Sequence, residues 1–268
     1  MPANECKFKS RFFHAAVLLW SFVALLSGCQ DSRAGNESRA AVTPAAATPT
    51  TTPAASPTPD TRPLIVAFGD SLTAGYGLES SRAWPALLQQ RIDAKGLHYR
   101  VVNKGVSGDT SKGGLSRVDD ALQGDVRILI LEFGGNDGLR GLPPAELKKN
   151  LAQIISAAQR RNVTVILAGM EAPPNFGDDY TRDFRDVYRD LAKEYKLALI
   201  PFFLAGVGGI AELNQPDGIH PNEKGSVIVL NNLWPVLESA LKQGRADSMT
   251  IERGVALADF VLHRADLI

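Results

Sequence analysis

From Leu64 onward, short apolar runs alternate with longer amphipathic stretches, and no other feature of the chain constrains its fold as strongly. A parallel sheet needs crossover segments between its strands, so this rhythm is the mark of β-α units. Candidate strands are 64–68, 99–103, 128–133, 163–168 and 198–202, and candidate helices are 83–94, 115–122, 145–160, 180–194 and 223–242. Five parallel strands joined by right-handed crossovers predict an α/β protein, a three-layer α/β/α sandwich around a flavodoxin-like sheet. No internal repeat breaks this order. After the last expected helix, residues 243–268 contain one apolar stretch, Val255 to Leu262, that reads equally as a short helix, a strand or part of a loose tail.

The first 62 residues lack this rhythm. Lys7, Lys9 and Arg11 precede an apolar run from Phe12 to Leu26, which ends in Leu26-Ser27-Gly28-Cys29. A charged start, a short apolar core and small residues at its end make a secretory signal, and the run is too short to span a bilayer comfortably. Leu-Ser-Gly-Cys at this place resembles the bacterial lipobox, which implies that residues 1–29 are a lipoprotein signal and that Cys29 carries lipid. Gln30 after that cysteine points to the outer membrane, with the domain facing the periplasm. Residues 30–62 are rich in Pro, Thr, Ala and Ser and nearly free of large apolar side chains. Such a stretch buries too little surface to offset its ordering entropy, so it is expected to be a disordered tether.

Charge and cysteine content exclude several partners. Lys plus Arg and Asp plus Glu both total 29, so no net basic field exists to gather the phosphates of a nucleic acid. Cys6 and Cys29 are the only cysteines, which leaves the mature chain without a disulfide. Neither a Cys/His cluster nor a phosphate-binding glycine loop is present, so no metal or other cofactor is expected.

Open parallel sheets build their sites beyond the carboxyl ends of the strands. After the first expected strand stands Gly69-Asp70-Ser71-Leu72-Thr73, where glycine permits a sharp turn and backbone N–H groups favour negative charge. Ser71 there suits a nucleophile and suits a helix cap equally well. The Gly-x-Ser-x-Gly elbow of α/β-hydrolases is absent. The second strand leads to Ser107-Gly108-Asp109, in which Gly108 offers an unobstructed N–H or merely makes a turn. The third leads to Gly134-Gly135-Asn136-Asp137, in which Asn136 is a neutral donor for an oxyanion or an Asx turn, and Asp137 an orienting group or a turn residue. Just before the last helix, Asp217 and His220 are close enough for one loop to present a base and its carboxylate, unless His220 is an ordinary surface histidine.

Taken together and in order, these four segments resemble the sequence blocks of the SGNH, or GDSL, hydrolase superfamily over roughly residues 63 to 242. Val106 to Thr110, Gly134 to Gly141 and Met170 to Gly177 look like its branch of bacterial thioesterase I, also called lysophospholipase L1, and related arylesterases. The resemblance implies a catalytic set of Ser71, His220 and Asp217, with oxyanion donors from the Ser71 and Gly108 N–H groups and the Asn136 amide. It places Asp70, Asp109 and Asp137 behind that set, and Pro174 and Phe176 beside an acyl pocket. The activity implied is hydrolysis of small-molecule acyl esters or thioesters without a cofactor, by an enzyme expected to be a monomer. Two other readings stay open: a carbohydrate O-acetylesterase using the same site, and a non-catalytic envelope lipoprotein that only binds lipid.

Overall fold

The computed structural model describes residues 60–243. The expected signal, Cys29, most of the expected tether and the whole of 244–268 lie outside the described residues.

Strands β1 (Leu64–Gly69), β2 (Arg100–Gly105), β3 (Val126–Glu132), β4 (Thr164–Ala168) and β5 (Ala198–Ile200) form one parallel sheet in the order β2-β1-β3-β4-β5. This is the doubly wound arrangement that the apolar runs predict. All of β1 and the last five residues of β3 are buried, because helices cover both faces and leave no solvent side for polar alternation.

The helices are α1 (Ser71–Ala74), α2 (Trp84–Ala94), α3 (Ser111–Ser116), α4 (Val118–Ala121), α5 (Gly135–Leu139), α6 (Pro144–Gln159), α7 (Asp178–Tyr195) and α8 (223–243). The β1-to-β2 crossover runs one way across the sheet and all later crossovers run the other way. Right-handed connection therefore puts α2 on one face and α3, α4, α6 and α7 on the opposite one. On α6, Leu147, Leu151, Ile154, Ile155 and Ala158 form a single buried stripe at helical spacing. Helix α8 returns beside α2, where Arg91 donates to Asn231 and both Arg91 and Lys95 lie over the Trp234 ring.

Two of the differences from the expected elements have a visible cause. In place of one helix over 115–122, α3 begins at Ser111 and the helix breaks at Arg117, whose side chain turns inward to bond Gly69 O and Lys104 O. Strand β5 ends at Ile200 rather than 202, because Pro201 has no N–H to continue the ladder. The reversal of strand order at β1 opens a crevice beyond the carboxyl ends of β1, β2 and β3.

Candidate active site

At the end of β1 the chain passes directly into α1. The cap of that helix is Asp70, whose Oδ1 accepts from the Leu72 N–H at 3.0 Å. Ser71 is therefore not the cap, and its hydroxyl faces the loop before α8, with Oγ 2.8 Å from His220 Nε2. His220 Nδ1 lies 2.7 Å from Asp217 Oδ2. An ionised carboxylate only accepts, so Nδ1 carries the hydrogen, Nε2 of the neutral ring is the acceptor, and the Ser71 hydroxyl donates to it. The His220 side-chain bond and the Ile219 and His220 backbone N–H groups hold the Asp217 carboxyl down to about 2, which keeps it charged at every pH near neutrality.

This loop is fastened to the Ser71 side. Gln215 Nε2 donates to Tyr76 O at 2.6 Å and to Pro221 O at 3.2 Å, and its N–H donates to His220 O. The Tyr76 ring packs against the His220 imidazole with centroids 4.7 Å apart.

Ser71, Gly108 and Asn136 line one cavity, the first two with backbone N–H groups and the third with a side-chain amide as possible donors. Gly108 has φ +86°, a left-handed conformation that only glycine adopts freely, and open space lies where a Cβ would stand. Asn136 Nδ2 donates to Asp70 Oδ2 at 3.1 Å and to Asp109 O at 2.9 Å. Asp109 Oδ2 accepts from Arg117 Nε at 2.7 Å, and the same guanidinium stacks 4.5 Å over Phe68. One arginine thus ties the ends of β1 and β2 to the Gly108 loop. Asp137 is buried and accepts from both the N–H and the hydroxyl of Ser111, which locks α3 to α5. It fixes the Gly108 and Asn136 segments relative to each other rather than touching the Ser71–His220 pair.

A cavity of about 280 Å³ opens over this set, walled by Leu72, Leu139, Met170, Pro173, Leu204 and Ile219 with Glu171 at its side. Pro174 and Phe176, expected beside the acyl pocket, are not among the residues that line it. They form a single 3-10 turn in which Phe176 packs on Tyr180 and crowds Gly141, so it is Met170, Glu171 and Pro173 of that segment that reach the cavity.

Sequence reasoning missed Arg117, Gln215, Thr73 and Glu132. The last had a signal, a carboxyl closing an apolar run at the carboxyl end of a strand. Burial raises the Asp70 carboxyl to about 6, and burial with the neighbouring Asp70 pushes Glu132 well above its ordinary value.

Residues 67–228 match the GDSL-like lipase/acylhydrolase family. Esterase TesA of Pseudomonas aeruginosa is 45% identical over 178 residues, covering 66% of this chain and 89% of that protein. The Escherichia coli protein named thioesterase 1/protease 1/lysophospholipase L1 is 42% identical over 159 residues, or 59% of this chain and 75% of that one. Among solved structures, AlinE4, an SGNH-hydrolase family esterase, superposes with a TM-score of 0.56 at 42% identity over 67% of this chain and 97% of its own.

Proposed function

The chain belongs to the GDSL-like lipase/acylhydrolase family and is an ester-bond hydrolase, and we propose that it cleaves acyl esters and thioesters through an acyl-enzyme on Ser71. The observation that carries this reading is the continuous relay from Ser71 Oγ through His220 to Asp217, with links of 2.8 and 2.7 Å.

Ser71 Oγ forms a bond to the acyl carbon while its proton passes to His220 Nε2, and the carboxylate of Asp217 stabilises the imidazolium. Negative charge moves onto the carbonyl oxygen, where the Ser71 and Gly108 N–H groups and the Asn136 amide receive it. Collapse breaks the bond to the alcohol or thiol, which leaves with the proton from His220. Water then repeats the sequence on the acyl-enzyme. Binding of lipid alone requires no hydroxyl paired to a base.

The apolar wall of Leu72, Leu139, Met170 and Ile219 favours acyl chains over acetylated sugars. A series of p-nitrophenyl esters from acetyl to decanoyl, run beside an acetylated sugar, is expected to peak beyond acetyl. A sharp maximum at acetyl with turnover of the sugar ester would replace this substrate class with carbohydrate O-acetyl groups.

We further propose that Cys29 carries lipid and holds the enzyme, through residues 30–62, on the periplasmic side of the outer membrane. The Leu-Ser-Gly-Cys run behind the apolar segment supports this. Cys29→Ser is expected to shift the protein from the membrane to the soluble fraction, and retention in the membrane would refute the anchor.

A further inference from the structure

Strand β3 ends on Glu132, which pairs in register with Gly69 of β1. Its side chain lies over that glycine so closely that a Cβ there would collide with the carboxyl. Glu132 is wholly buried, and only one of its oxygens is bonded. Oε2 accepts from the Thr73 hydroxyl at 2.8 Å and from the Asp70 N–H at 3.4 Å, while Oε1 has no partner among the described residues. Both donors belong to the turn that carries Ser71, yet no step of the hydrolysis uses this carboxyl.

We propose that Glu132 is a positioning residue for ester cleavage, holding the Asp70–Ser71–Thr73 turn from within the core through the Asp70 N–H and the Thr73 hydroxyl. The inference rests on Ser71 being the nucleophile.

Glu132 does this as a neutral acid. A buried carboxylate without a counter-charge is costly, and no cation is paired with it among the described residues. The titratable groups facing the pair are Asp70 itself, Tyr188 of α7, whose hydroxyl donates to Phe133 O, and Asp137 of α5; His220 acts only on Asp70. Of the two carboxyls, Asp70 has both oxygens bonded, to the Leu72 N–H and to Asn136. Glu132 has a bare Oε1, which is where the proton sits. The remaining oxygen accepts as a carbonyl does, and Asp70, raised only to about 6, is the anion that holds the Asn136 amide near neutral pH.

Three variants in the full chain test this: Glu132→Gln, Glu132→Leu and Thr73→Val. Gln supplies the same carbonyl acceptor without an acid, so its kcat is expected to stay within about 3-fold of the parent. Leu leaves two buried donors unpaired and frees the turn, which is expected to lower kcat and the rate of fluorophosphonate labelling together by about 10- to 100-fold, with KM nearly unchanged. Thr73→Val removes one of the two bonds and is expected to fall between them; should the Leu variant not fold, this variant and Gln decide. Parental kcat in folded Leu or Val variants overturns the proposal, as does a Gln variant as impaired as Leu, which would make Glu132 an anion.

Thermal melting gives a second readout. The unfolded chain releases the Glu132 proton near its ordinary value of 4.5 while the fold retains it, so the stability from this group is whole below that pH and lost as pH rises through the raised value. The parent should therefore lose stability relative to Glu132→Gln as pH rises above that ordinary value; a constant difference contradicts the neutral acid. A parent that fluorophosphonate does not label would instead remove the Ser71 reading on which this rests.

Discussion

Ser71→Ala is expected to lower kcat for p-nitrophenyl esters by roughly 10⁴- to 10⁶-fold, with KM little changed. The size of the loss follows from the relay. Among the described residues His220 Nε2 has its only partner in Ser71 Oγ at 2.8 Å, and the charge on Asp217 is useful only if a proton arrives on that ring. Without the hydroxyl no acyl-enzyme forms, and the residual rate comes from binding and from the oxyanion donors. His220→Ala should cost a similar factor. The double variant should be hardly worse than either single one, because the two groups act as a unit. Additive losses would mean that the hydroxyl and the imidazole work in separate steps.

Asn136→Ala carries the second largest effect. Removing one preorganised donor to a developing oxyanion costs about 3 kcal/mol, so kcat is expected to fall by roughly 100- to 1000-fold at nearly constant KM. The Asn136 amide is held by Asp70 Oδ2 on one side and Asp109 O on the other, an orientation that spends both of its hydrogens on the protein. It serves the oxyanion by exchanging one of these acceptors for it. Asn136→Asp should be at least as damaging, since it sets a second carboxyl against Asp70. Steady-state kinetics on one ester separates the outcomes: a loss confined to KM would make Asn136 a binding group rather than an oxyanion donor.

The strands were legible because a parallel sheet covered on both faces leaves β1 and β3 as unbroken apolar runs. The longer helices were legible from their buried stripes. What escaped was short or glycine-rich. Helix α1 has four residues and α5 five, too few to display a period, and Gly113 and Gly114 disguise the start of α3. Gly114 is there because a side chain would strike Phe133. Among site residues, Ser71, Asn136, Asp217 and His220 could be named from residue type and placement. Glu132 was visible only as a carboxyl closing an apolar run, and its contact with the Ser71 turn was not, since that depends on the register that sets it beside Gly69. Arg117 sits in an ordinary amphipathic stretch, and only the fold brings it to Asp109 and Gly69 O. Which residues of the 170–177 loop face the cavity was hidden for the same reason, because a tight turn at Pro174–Phe176 decides it.

The most direct measurement is the site of covalent capture. The full chain is treated with a fluorophosphonate, digested, and the modified peptide sequenced by mass spectrometry. The account predicts one adduct, on Ser71, formed at a rate that falls with ester hydrolysis when His220 is replaced. An adduct on another residue, or undiminished ester hydrolysis by an enzyme that forms no adduct, would contradict it.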